Sequence, residues 1–141
     1  MFCLTLAQPN YDVSTCLPQL RHRIPCGFPS PADDHLAAPL DLFSHLIEHP
    51  SATYFAYAEG ESMMNRIHPG DLLIVDRAVS VKSGDIIIAA VNGELTCKIV
   101  DIEHRCLRSE NPSFKPIPIP EEGIELICEG VVVYAISRTR S

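Results

Sequence analysis

Asp85-Ile86-Ile87-Ile88-Ala89-Ala90-Val91-Asn92-Gly93-Glu94-Leu95-Thr96-Cys97-Lys98-Ile99-Val100-Asp101-Ile102 is the stretch whose reading decides the fold. Its first limb is a short, unbroken apolar run, Ile86 to Val91, rich in β-branched residues. Asn92-Gly93 follows, and both positions tolerate positive φ, the strongest local signal for a two-residue β-turn. The second limb alternates. Leu95, Cys97 and Ile99 fall on one face; Glu94, Thr96, Lys98 and Val100 fall on the other. The pattern predicts a β-hairpin with strands over residues 85–91 and 94–102.

Working outward, the β pattern continues on both sides. Thr53 to Ala58 and Asp71 to Asp76 read as strands, the second entered through Pro69-Gly70. Residues 105–108 and 124–127 read as short strands, and Gly130 to Ile136 as the last. Pro112, Pro116, Pro118 and Pro120 mark a long surface connection. Residues 40–49 put Leu42, Phe43, Leu46 and Ile47 on one helical face, and Pro50 ends the run. Residues 1–35 carry Pro9, Pro18, Pro25, Pro29 and Pro31 without a sustained period, and predict an extended arm. The fold class expected is mostly β: an antiparallel β domain with one short helix and an extended N-terminal arm.

Composition narrows the function. The chain has 141 residues, enough for one domain with an arm, and 46% of them are hydrophobic, enough for one core. Eighteen acidic against eleven basic residues give a net charge of −7, which argues against direct, specific DNA binding. No apolar run approaches the roughly 20 residues that span a bilayer, and residues 1–7 lack a secretory signal's basic start. The expectation is a cytoplasmic protein with no membrane association. Six cysteines without any Cys-x-x-Cys pair read as separate thiols, and no metal or other cofactor is expected.

Three features bear on chemistry. Lys98 falls on the face of the hairpin away from Leu95, Cys97 and Ile99, either as a solvated lysine on an open face or as a desolvated amine whose neutral form can accept a proton. Ser62, in Glu59-Gly60-Glu61-Ser62-Met63-Met64, follows a strand and precedes a turn, a place for an ordinary turn serine or for a hydroxyl exposed beside backbone N–H groups. A neutral lysine can serve such a serine in place of histidine. His45-Leu46-Ile47-Glu48-His49 matches His-x-x-Glu-His, a zinc-peptidase pattern, but on the fraying last turn of a helix.

Taken in order, these segments resemble the LexA/UmuD family of self-cleaving Ser–Lys proteins. Cys26-Gly27-Phe28-Pro29-Ser30-Pro31-Ala32 resembles the family's cleavage site, and His49-Pro50-Ser51-Ala52-Thr53-Tyr54-Phe55 the strand leading to the nucleophile. Gly60-Glu61-Ser62-Met63 resembles the nucleophile motif, and Gly70-Asp71-Leu72-Leu73-Ile74-Val75-Asp76 the segment after it. Gly84 to Val91, then Gly93 to Lys98, resembles the hairpin that carries the lysine. The likeness covers roughly residues 24–138.

The resemblance implies a LexA/UmuD-like (signal-peptidase-like) β domain over 27–141 and an arm over 1–26 removed by self-cleavage. It implies Ser62 as nucleophile, Lys98 as general base, Cys26–Gly27 as scissile bond, and backbone N–H groups of Glu61 and Ser62 as oxyanion donors. Burial beside Cys97, Ile99, Met63 and Met64 is expected to keep Lys98 neutral, and Gly27 to permit close approach with unusual φ/ψ. It further implies cleavage stimulated by a RecA nucleoprotein filament, a homodimer of the product, and partnership with a UmuC-like Y-family DNA polymerase in SOS mutagenesis. Only 26 residues precede Gly27, and they hold no helix-turn-helix pattern, which sets the chain apart from the repressors. Two other classes stand beside this reading: a non-cleaving interaction module of the same fold, and a zinc peptidase at His45, Glu48 and His49.

Overall fold

A computed structural model describes residues 16–21, 23–31, 34–60, 63 and 65–140. They fall into two units, one ending at Glu48 and the other starting at His49. In the first, β1 (Leu17–Leu20) pairs antiparallel with β2 (Leu36–Leu40). This two-stranded sheet lies where an extended arm was expected. Among the described residues, Pro18 and Pro39 sit in strands with one partner each, edge strands of the kind that tolerate proline. Helix α1 is shorter than the apolar period suggests, running only from Leu42 to Leu46. Ile47 is already extended at φ −112°, and a 3₁₀ turn at Pro50–Ala52 follows.

The second unit is a seven-stranded, fully antiparallel sheet. Its strands are β3 (Thr53–Tyr57), β4 (Leu72–Asp76), β5 (Ile86–Val91), β6 (Glu94–Asp101), β7 (Cys106–Arg108), β8 (Ile117–Pro118) and β9 (Cys128–Ile136). Their spatial order is β3-β4-β9-β5-β6-β7-β8. The predicted hairpin is present: Val91 pairs with Glu94, and the turn residues have φ of 51° (Asn92) and 79° (Gly93). Residues 124–127, expected as a strand, begin with a 3₁₀ turn at Ile124–Leu126 that turns the buried Ile124 inward.

Strand β5 explains its own apolar run, because both of its faces are covered. Ile86 and Ile88 pack with Met63, Ile67, Leu73 and Val75 on one side. Ile87 and Ala89 pack with Val100, Leu107, Ile124 and Val131 on the other. Each such aliphatic side chain contributes about 1.5–3 kcal/mol when fully buried.

Strand β9 joins the halves, pairing with β4 along one edge and β5 along the other. Its register slips once opposite Ile74/Val75 and once opposite Ile88/Ala89, leaving Val133 and Glu129 as extra residues. The Tyr54 hydroxyl donates to the Glu129 carbonyl at 2.9 Å, tying β3 to the second bulge. Gly130 beside it has φ 139°, and a Cβ there would stand 2.6 Å from Val75 Cγ1.

The five described cysteines are free thiols. Cys16 and Cys26 are exposed, whereas Cys97 is half-buried in the first apolar cluster. Burial pushes the Cys97 thiol up to about 11, against the smaller opposing pull of Lys98.

Two measurements check this picture. Gly130→Ala should lower unfolding free energy in urea by about 2–4 kcal/mol, from strained φ and overpacking together. Maleimide labelling of native protein at neutral pH, mapped by peptide mass, should modify Cys26 well before Cys97, since the thiolate is the reacting form.

Candidate functional site

The described residues flanking Ser62 are firmly held. Beyond β3, the Ala58 N–H donates to the Asp71 carbonyl at 2.9 Å, and the Gly70 N–H to the Ala58 carbonyl at 2.8 Å. These bonds close the base of the loop over residues 59–69. Asp71 is buried there as an acceptor, taking the Ser137 hydroxyl and, at 2.8 Å, the His68 N–H. Those two hydrogen bonds, the Ser137 one foremost, hold its carboxyl below the usual range against the opposing effect of burial.

On the far side of Ser62, Met63 is 3% exposed and Ile67 4%. The Met63 carbonyl accepts the N–H groups of Ile67 at 2.7 Å and Arg66 at 3.1 Å, making one tight turn. Glu110 reaches that turn from beyond β7. Its carboxylate accepts the Asn65 N–H at 3.0 Å and the Arg66 Nε–H at 2.9 Å.

Lys98 stands in the middle of β6, directly opposite Ile87 of β5. It is 6% exposed, one of three buried charged residues, with Asp71 and Asp76, among the described residues. The two aspartates are paired: Asp76 accepts from the Ala78 N–H at 2.8 Å and shares a 2.6 Å hydrogen bond with His49 Nδ1. Among the described residues, no carboxylate forms an ion pair with Lys98.

Burial pushes the Lys98 ammonium below its ordinary value, with the Cys97 sulfur acting the other way. The Phe114 ring lies over Nζ, 5.2 Å from its centroid, and also favours the charged form. A half-exposed ring of this kind contributes about 0.5–1 kcal/mol, less than one pKa unit, which is about 1.4 kcal/mol. Desolvation of a buried amine reaches several times that. The neutral form gains.

The expected neighbours of Lys98 need correction. Cys97 and Ile99 alternate onto the opposite face, where they pack with Met63 in the first cluster. Phe114 covers Lys98 instead, a residue that sequence reasoning did not single out and whose proline-rich surroundings give no periodic signal. The same cluster-one face holds a groove of about 410 Å³ lined by Ala56, Ala58, Gly60, Met63, Leu95 and Cys97, among others. Ala56, Ala58 and Gly60 are its small lining residues, and Tyr54, Tyr57, Leu73 and Ile88 are among the larger ones.

Ser62 and Glu61 lie outside the described residues. Cys26 and Gly27 lie in the first unit, both exposed, in a bend between β1 and β2. Gly27 is not among the glycines with positive φ, and a Cβ there would meet nothing within 4 Å. His45, Glu48 and His49 do not share a helical face, because α1 stops at Leu46 and His49 instead bonds to Asp76. Among the described residues no cluster of three metal-ligating side chains occurs. No helix among them is long and apolar enough to cross a membrane.

Comparisons with known proteins agree with this architecture. The chain is 41% identical over 140 residues to Protein SamA of Salmonella typhimurium, covering 98% of this chain and 97% of the relative. It is 37% identical to Protein MucA of Escherichia coli over 122 residues, 85% of this chain and 84% of the relative. LexA repressor 1 of Pseudomonas syringae pv. tomato is 34% identical over 119 residues, 82% of this chain but 58% of that longer protein. A family model described as peptidase S24-like matches residues 18–133. The chain belongs to the peptidase S24-like family, whose mostly β, antiparallel architecture it shares.

Proposed function

We propose that the protein is a UmuD-like SOS mutagenesis factor that cuts its own chain between Cys26 and Gly27 with a Ser62–Lys98 dyad. The observation that carries this reading is Lys98: a lysine buried in the hairpin of a peptidase-family sheet, with lowered basicity and no paired carboxylate among the described residues. A lysine kept only for charge would be paired or solvated, whereas a general base must be neutral.

In the proposed reaction, Ser62 Oγ attacks the Cys26 carbonyl carbon while neutral Lys98 takes the hydroxyl proton. Backbone N–H groups of Glu61 and Ser62 stabilise the oxyanion. The intermediate collapses as the Lys98 ammonium gives its proton to the Gly27 nitrogen, and the C–N bond breaks. An ester then links Ser62 to Cys26. Lys98, neutral again, activates a water that hydrolyses the ester, freeing residues 1–26 from the 27–141 product.

The exposed chain at Cys26 and Gly27 suits an extended substrate. The proposed setting is contact with a RecA nucleoprotein filament as the stimulus, then a homodimeric 27–141 product serving a UmuC-like Y-family polymerase. The net charge of −7 fits a factor that meets DNA through partners.

Intact-mass analysis of purified protein held at a series of pH values tests the chemistry. The expected species is residues 27–141, absent from Ser62→Ala and Lys98→Ala. Its rate should climb from neutral into alkaline pH and level off below the ordinary lysine value of about 10.4. The sign follows from the lowered ammonium pKa, which brings the proton-accepting amine forward at lower pH. Loss of the product only at Cys26 substitutions, with Ser62→Ala still cutting, would exclude the dyad.

A further inference from the structure

We propose that Glu110 is a positioning residue for the nucleophile, acting through Asn65 and Arg66; this rests on the Ser–Lys reading above. Three residues beyond Ser62, the Asn65 N–H donates to Glu110 Oε2 at 3.0 Å. One residue later, Arg66 Nε donates to Oε1 at 2.9 Å. Both carboxylate oxygens are thus used on adjacent residues of one turn, and each bond is charge-assisted.

The pair is not an ordinary surface ion pair. The Glu110 side chain is 15% exposed, while Arg66 remains 49% exposed. The carboxylate is the inner partner, and a backbone N–H is one of its two donors. Backbone donors give the contact a fixed place in the chain that two flexible side chains lack. The turn it grips is closed by the two bonds to the Met63 carbonyl, and Met63 itself is buried. Movement of Glu110 would therefore be transmitted to the residue adjoining Ser62.

The segment that presents Glu110 also touches the base. Four residues on, Phe114 covers Lys98. The intervening turn is held by the Phe114 N–H to the Asn111 carbonyl at 3.2 Å and the Ser113 N–H to Asn111 Oδ1 at 2.9 Å. Upstream, Ser109 follows β7, whose Arg108 pairs with Ile99 beside Lys98. Residues 110–114 thus form a strut with one end on the turn after Ser62 and the other on Lys98. An error of about 1 Å between reacting groups can cost up to roughly 100-fold in rate, so such a strut has consequences.

The test follows self-cleavage of the full chain at alkaline pH by intact mass, with melting temperature recorded for each variant. Glu110→Ala should cleave roughly 10- to 100-fold more slowly than the parent. Glu110→Gln keeps an acceptor for the Asn65 N–H and should recover to within a few-fold of the parent. Arg66→Ala should lose several-fold, and Arg66→Ala/Glu110→Ala no more than Glu110→Ala alone. The pH midpoint, which belongs to Lys98, should not move in any of them, and Glu121→Gln on the exposed 120–122 turn should match the parent. Should Glu110→Ala fail to fold, Gln and Arg66→Ala carry the same comparison.

Parent-like cleavage by Glu110→Ala, or by both folded substitutes, would overturn the proposal while leaving the dyad intact. A rate loss matched by a fall in melting temperature, with no recovery in Glu110→Gln, would also overturn it in favour of a stabilising role. A parent that stays whole at every pH, or a Ser62→Ala chain that still yields 27–141, removes the cleavage reading and this inference together.

Discussion

Everything in the second unit hangs from β9 being hydrogen-bonded on both edges. It is the strand that brings β3-β4, next to Ser62, into one sheet with β5-β6, which carries Lys98. An antiparallel strand with two regular partners makes a sheet of steady twist. Here the extra residues Glu129 and Val133 interrupt that regularity, bending the strand and sharpening its twist. Gly130 next to the Glu129 bulge lets Val75 approach closely. The Tyr54 hydroxyl then caps the bulged carbonyl from the edge strand. The location of the chemical groups follows from this arrangement of backbone, because neither hairpin alone could bury both of its faces.

The fold's most expensive feature is the burial of a lysine in that sheet. Nearby buried charges are handled conventionally: Asp71 and Asp76 gain backbone N–H donors and side-chain partners, and their carboxyls are held low. Burial raises the Asp76 carboxyl, but His49 and the Ala78 and Val79 backbone outweigh it. Their contribution to stability is therefore present above the ordinary aspartate range and lost as pH falls through the depressed folded values. Lys98 shows the opposite treatment. Burial penalises its charge, the Phe114 ring only partly offsets that, and no carboxylate among the described residues neutralises it. A titratable group buried in this way marks a candidate functional position.

Much of this was legible because it is local. Asn92-Gly93 specifies its turn through two positive φ values, and alternation along β6 assigned Lys98 to the face away from Cys97 and Ile99. The doubly covered strand announced itself as an apolar run. What stayed hidden is non-local. The pairing of β1 with β2 spans two proline-bearing strands, whose missing donors are harmless only once the partner is known. The helical period over 40–49 overran α1 because Ile47 is already extended ahead of Pro50, and side-chain spacing does not set where a short helix ends. Glu110 and Phe114 lie in a proline-marked stretch with no period, and their value comes from what β7 brings them against.

The alternation of β6 has a chemical consequence that follows from these placements. Adjacent residues of one strand put a thiol on the groove side and an amine on the other. Both are pushed toward their neutral forms by burial, the thiol upward to about 11 and the amine downward. For the thiol, neutrality means inertness, since only a thiolate is a strong nucleophile. For the amine, neutrality means a free lone pair. The same apolar sheet thus silences one candidate nucleophile that lines the groove and prepares one candidate base behind it. A serine hydroxyl needs such a base, and its own proton is far too tightly held to leave without one. Low dielectric, applied across two consecutive residues of opposite acid–base type, is sufficient to select between them.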